Sequence, residues 1–182
     1  MKNCIISFVV VLGIVLIGGL IFMYSGAFNV AATSKEPALM SWIIETTREH
    51  SIESRASKVS APPASALQDP KKLLEGFAHY DEMCVVCHGA PGMEAGEARE
   101  GLNPQPPLLA KLKDLQDDPP GEIFWIIKNG IKMTGMPAWG PSHSDDKIWA
   151  MVAFVRKLPG MTADEYKTMK KQAEAAGIHD DD

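Results

Sequence analysis

Cysteine is scarce in this chain: three residues in 182, one of them, Cys4, set in an apolar leader. The other two, Cys84 and Cys87, form a single C-x-x-C pair. As half of a zinc site the pair would need two further ligands, and no second cysteine pair exists. A thioredoxin-like dithiol needs a strand-to-helix junction, and no strand-like alternation precedes Cys84. Excess positive charge is missing too. Eighteen Lys and Arg stand against 23 Asp and Glu, a net charge of −5 that gives no sign of nucleic-acid binding. There is no internal repeat. Between Lys2 and Lys35 there is no charge at all.

That last absence frames a long apolar run. Ile5 to Tyr24, twenty residues, spans about 30 Å at helical rise, the thickness of a bilayer's hydrocarbon core. A secretory leader has a shorter apolar stretch. The length favours an uncleaved signal-anchor over residues 1–26, while Val30-Ala31-Ala32 offers a small-residue cleavage sequence for the alternative. Cys4 precedes the run and is not placed for lipid attachment. Lys2 and the amino terminus favour the cytoplasmic side.

What is present in the middle of the chain is Cys84-Val85-Val86-Cys87-His88, the C-x-x-C-H pattern of c-type haem attachment. Two cysteines three positions apart can each form a thioether to one vinyl group of a single porphyrin. The adjacent His88 is then placed as an axial ligand to the iron. A second donor lies in Thr134-Gly135-Met136-Pro137-Ala138-Trp139. Gly135 and Pro137 constrain the backbone around Met136, and Pro137 biases it toward extended geometry. Met133 is the neighbouring competitor, and His143 offers bis-histidine ligation instead. His79 reads as a surface residue, and His50 and His179 lie outside the domain.

Residues 27–69 read as a spacer helix and a Pro-rich linker. The helix starts at Pro37, with Ser34 as a candidate cap. Leu39, Met40, Ile43 and Thr47 share a stripe, which suits either a helix at the membrane surface with Trp42 at headgroup depth or a docking helix for a membrane partner. Ser60 to Ser65 forms the semi-rigid linker. Helices are expected from Lys71 to Val86, from a start in Pro119-Pro120-Gly121-Glu122 to an end near Asn129-Gly130, and from a Ser144 cap to a stop at Pro159. Residues 161–182 read as a polar carboxy-terminal tail with a short helix from Thr162 to Gly177.

Residues 70–160 resemble a class I cytochrome c domain. The resemblance rests on the order of a helix with Gly76 and Tyr80, the Cys84 to His88 motif, a Gly/Pro loop, a middle helix, Gly135-Met136-Pro137, and a last helix with aromatics. It implies an all-α fold of three to five short helices wrapped on one covalent haem c, preceded here by the transmembrane and spacer helices. Cys84 and Cys87 would carry the haem, with His88 and Met136 as axial ligands. Gly76 would allow close crossing with the last helix near Trp149 or Ala153. A carbonyl near Pro106 or Pro107 would accept a hydrogen bond from His88.

The implied function is single-electron transfer without catalysis, tethered to a bacterial cytoplasmic membrane with the haem domain on the periplasmic side. Partners would be redox proteins, including respiratory or photosynthetic complexes. A haem sensor or catalytic haem subunit with a displaceable sixth ligand is the competing class. Haem contacts are expected from Phe77, Tyr80, Val86, Leu108, Leu112, Ile123, Ile127, Ile131, Trp139 and Val152, and the haem-free chain is expected to be mostly unfolded. Lys71, Lys72, Lys111, Lys113, Lys128 and Lys132 either ring the haem edge or are scattered solubilising charge.

Overall fold

The computed structural model describes residues 2–178; His179 and the expected frayed end Asp180 to Asp182 lie outside the described residues. The described residues are helical, with no strand beyond one isolated bridge between Ala90 and Met93. The chain divides into two compact units, Met1–Lys35 and Glu36–Asp182.

The first unit is built on α1, Lys2–Tyr24. Its side chains are apolar on every face and none is buried. By length and composition it is the one helix among the described residues able to cross a membrane. Ser25 and Ser34 then close short turns, each with its hydroxyl donating to a carbonyl three residues back, Phe22 and Ala31, at 2.8 Å. Ser34 is therefore not a helix cap, and Pro37 precedes the next helix without any side-chain cap.

In the second unit seven α-helices follow among the described residues: α2 (Ala38–Ala56), α3 (Pro70–His79), α4 (Val85–His88), α5 (Glu97–Glu100), α6 (Pro120–Asn129), α7 (Asp145–Lys157) and α8 (Ala163–Ala176). Their ends are legible in local chemistry. The Asp69 carboxylate accepts from the Lys71 and Lys72 amides at 2.8 and 3.3 Å, with Pro70 opening α3. Ser144 caps α7 through the Lys147 amide. Thr162 and Glu165 form a reciprocal capping box on α8, and Gly177 ends it in the left-handed region.

The principal helix pair is α3 on α7. A Cβ added to Gly76 would lie 1.9 Å from the Ala150 carbonyl oxygen, so only glycine admits this approach. The contact falls between the two positions expected on α7. Around the crossing, Phe77 meets Phe154 edge-on at 5.3 Å and Tyr166 at 4.9 Å, and Phe124 stacks on Trp149 at 4.3 Å.

Two segments are more integrated than their sequence indicates. Tyr166 and Ala173 of α8, in the stretch read as a polar tail, are buried in the core. The Tyr166 hydroxyl donates to Asp81 at 2.8 Å, and the Lys170 ammonium reaches the same carboxylate at 2.7 Å. The carboxy-terminal end of α2 packs against α6, where Ile52 and Ala56 are buried and Gly121 lets the Ala56 carbonyl approach. His79, read as a surface residue, is buried; its ring lies edge-on to that of His143 at 5.4 Å.

Candidate haem site

The cysteine motif sits where α3 changes pitch. The helix expected to run unbroken to Val86 gives way to a π-helical turn over Tyr80–Cys84 before α4 carries Val85 to His88. A π turn inserts a residue into the helix and reorients everything after it, and such turns recur at functional positions. Tyr80 anchors the change: its buried hydroxyl donates to the Gly89 carbonyl at 2.6 Å. Burial, reinforced by Cys84, pushes that hydroxyl's pKa far above the usual phenol range. Gly89, at φ 65°, ends α4 in a conformation that side chains resist.

Cys84, which closes the π turn, and Cys87 on α4 are half-buried, and neither is in a disulfide. The His88 Nδ1–H donates to the Pro107 carbonyl at 2.8 Å. That bond fixes the tautomer, so Nε2 carries the lone pair. Burial pulls the imidazole below its ordinary pKa; the Pro107 hydrogen bond opposes this and the positive charge of Arg99 adds to it. The balance favours the neutral ring, the form that ligates metals.

The loop that supplies Pro107 is itself tied down. The Gly96 amide donates to the Val86 carbonyl at 2.9 Å, and Arg99 Nε donates to the Pro106 carbonyl at 2.9 Å. A chain of contacts thus runs from Arg99 through the paired prolines to His88. Arg99 was not legible as a site residue, because a loop broken by glycine and proline carries no periodicity that would place it.

Met136 lies on a second loop, built differently. Trp139 and Gly140 amides donate to the Ile127 and Lys128 carbonyls at 3.1 and 2.9 Å, which satisfies acceptors left open at the end of α6. The Ile131 amide donates to the Met136 carbonyl at 3.2 Å, and the Met136 amide donates to Thr134 Oγ1 at 3.1 Å. Gly130, at φ 63°, permits the return: a Cβ there would meet the Met136 carbonyl oxygen at 2.7 Å. Met136 is half-buried against the core, whereas Met133 is 91% exposed with its backbone in the left-handed region. Leu102 rests against Gly135, next to Met136. His143 is buried, edge-on to the buried His79 and to the half-buried Trp139, and its Nδ1 lies 2.9 Å from Ser142 Oγ.

The donor set fits a c-type haem. Two thiols on one turn, an imidazole with its outer nitrogen fixed by a backbone acceptor, and a thioether on a rigid loop are the ligand types that haem c uses. Val86, between the two cysteines, remains 51% exposed to solvent. Among the described residues no cluster of three or more His, Cys, Asp or Glu could hold a metal ion instead. Of the lysines expected near the haem edge, Lys72 and Lys128 pair with Asp146 and Asp145 at 3.6 and 2.5 Å.

Residues 71–155 match the family described as cytochrome c oxidase, cbb3-type, subunit III. No curated protein matches the chain. The matched stretch is a c-type cytochrome domain, whose cofactor is covalently bound haem c.

Proposed function

We propose, taking as premise that residues 71–155 form a c-type cytochrome domain, that this chain is a membrane-tethered single-electron carrier. Cys84 and Cys87 would hold the haem through thioethers, and His88 Nε2 and Met136 Sδ would ligate its iron. When bound, haem c supplies a one-electron ferrous/ferric couple. The protein's part is to keep both donors in place in either redox state, to cover the porphyrin with apolar side chains, and to leave no open position for a substrate. The observation that carries the reading is the His88–Pro107 hydrogen bond of 2.8 Å, which orients one ring nitrogen and frees the other.

The tether is α1, spanning a bacterial cytoplasmic membrane once with its amino terminus inside and the haem domain on the periplasmic side. The matched family is named for an oxidase subunit, which supports a place for this chain beside a membrane respiratory complex. In that role the chain delivers or relays electrons and performs no bond chemistry of its own.

Near-infrared absorption of the oxidised full-length protein tests the ligand assignment. A weak methionine-to-iron charge-transfer band is expected in wild type and absent in Met136→Ala. Carbon monoxide added to reduced wild type is expected to change the spectrum little. Rapid, complete CO binding would instead identify a displaceable sixth ligand and the sensor class.

A further inference from the structure

The first two turns of α2 carry Leu39, Met40, Trp42, Ile43 and Ile44 with Ser41 as the one polar side chain among them, and the haem domain leaves these apolar groups exposed. Leu39 is 68% exposed, Trp42 63%, Ile43 47% and Ile44 49%. No charged side chain occurs from Pro37 to Ile44. At Glu45 the helix changes character. Beyond it Ile52 and Ala56 are buried against α6, and Glu49, Glu53 and Arg55 are exposed and solvated. The carboxy-terminal half thus anchors the helix to the haem domain, while the amino-terminal half projects as an apolar tip. A contiguous set of large apolar groups on a surface marks a contact.

The chain itself limits what that contact is. Ser25 to Pro37 joins the end of α1 to the start of α2. Fully extended, this connection reaches at most about 45 Å, and the turns at Ser25 and Ser34 shorten it. If α1 spans a bilayer, the tip is held next to that bilayer's surface at high effective concentration. Tryptophan favours the headgroup depth, and a short apolar face followed by charge one turn later suits shallow insertion.

We propose that the amino-terminal turns of α2, around Trp42 and Ile43, insert into the headgroup–acyl boundary of the lipid bilayer. The domain then has a second membrane contact besides α1, and the haem is held in one orientation instead of swinging on a linker. This rests on α1 spanning the membrane.

The test uses the full-length holoprotein reconstituted in phosphatidylcholine/phosphatidylglycerol vesicles. In a Cys4→Ser background a nitroxide is attached at Ile43→Cys or, as control on the same helix, at Ser54→Cys. Flotation with the vesicles reports the α1 tether; collision with dissolved oxygen and with a water-soluble nickel chelate reports lipid exposure at the label. The expected result is flotation of both variants, with an oxygen-to-nickel accessibility ratio several-fold higher at position 43 than at position 54. Flotation with equal ratios at the two positions overturns the lipid contact and leaves the tether standing. Position 43 protected from both collision partners overturns it in favour of a second copy of the chain. Failure to float overturns the tether reading and this proposal with it.

Discussion

The loops that carry Pro107 and Met136 are held by different means. On the histidine side, one side-chain hydrogen bond joins His88 to Pro107, and a second, from Arg99 to Pro106, steadies the acceptor. On the methionine side the backbone does the holding: Ile131, Trp139 and Gly140 amides lay the loop onto itself and the end of α6. In the proposed ligation the histidine would be tuned electronically, through the Arg99 charge and the Pro107 bond beside its ring. The methionine would be tuned mechanically, through where its loop is allowed to lie. Changes on the first side should move a potential; changes on the second should move the ligand.

The largest effect should come from breaking what both loops share. Gly76→Val forces α3 off α7 at the Ala150 carbonyl, a loss of about 3 kcal/mol or more where overpacking meets rigid backbone. Little haem-loaded protein should be recovered, and the remainder should melt well below wild type by far-UV circular dichroism. Gly130→Ala attacks the methionine side alone. A side chain at that left-handed position costs about 1–2 kcal/mol and collides with the Met136 carbonyl. The near-infrared methionine band should weaken and CO should bind faster, with covalent haem content unchanged.

A smaller effect, confined to the histidine side, is expected from Arg99→Gln. Loss of a positive charge near His88 disfavours the reduced state, so the potential should fall. An about threefold shift in the reduction equilibrium corresponds to about 30 mV for one electron. Spectroelectrochemistry should place Arg99→Lys near wild type, and the methionine band should be untouched in both variants. An effect of Arg99→Gln on that band, or of Gly130→Ala on the potential with the band intact, would dissolve the contrast.

Least of all should either side respond to Tyr166→Phe. Removing the bond to Asp81 costs about 1 kcal/mol near neutral pH. Burial, then the hydrogen bond to Asp81, pushes the Tyr166 hydroxyl far above its usual range, and Tyr80 is raised likewise. Folded phenols keep their protons while unfolded ones ionise from about pH 10. Stability is thus full below that pH and falls as pH rises through it. Chemical denaturation from neutral to about pH 11 should show a flatter loss in Tyr166→Phe than in wild type.

Much of this layout was legible because its signals are local. Pro119-Pro120 and Ser144 mark helix starts by chemistry that needs no tertiary context. Gly76 stands out as a glycine on the apolar side of a helix, where only a close approach accounts for it. Other features depend on contacts that no local pattern encodes. Tyr166 is a single aromatic in an otherwise polar helix and forms no stripe, yet it completes the core beside Phe77. His79 is hidden by the loop that carries His143, far along the chain. Whether Pro106 or Pro107 faces His88 depends on the register of an irregular loop, which Arg99 and Gly96 set through bonds to backbone. The packing of α2 on α6 hinges on Gly121, whose missing side chain reads in sequence only as part of a helix start.

The most direct test of the account is mass spectrometry of the protease-digested, denatured full-length protein. One haem should remain covalently attached to the peptide containing Cys84 and Cys87. Recovery of that peptide with both thiols unmodified, from cells that mature other c-type cytochromes, would contradict it.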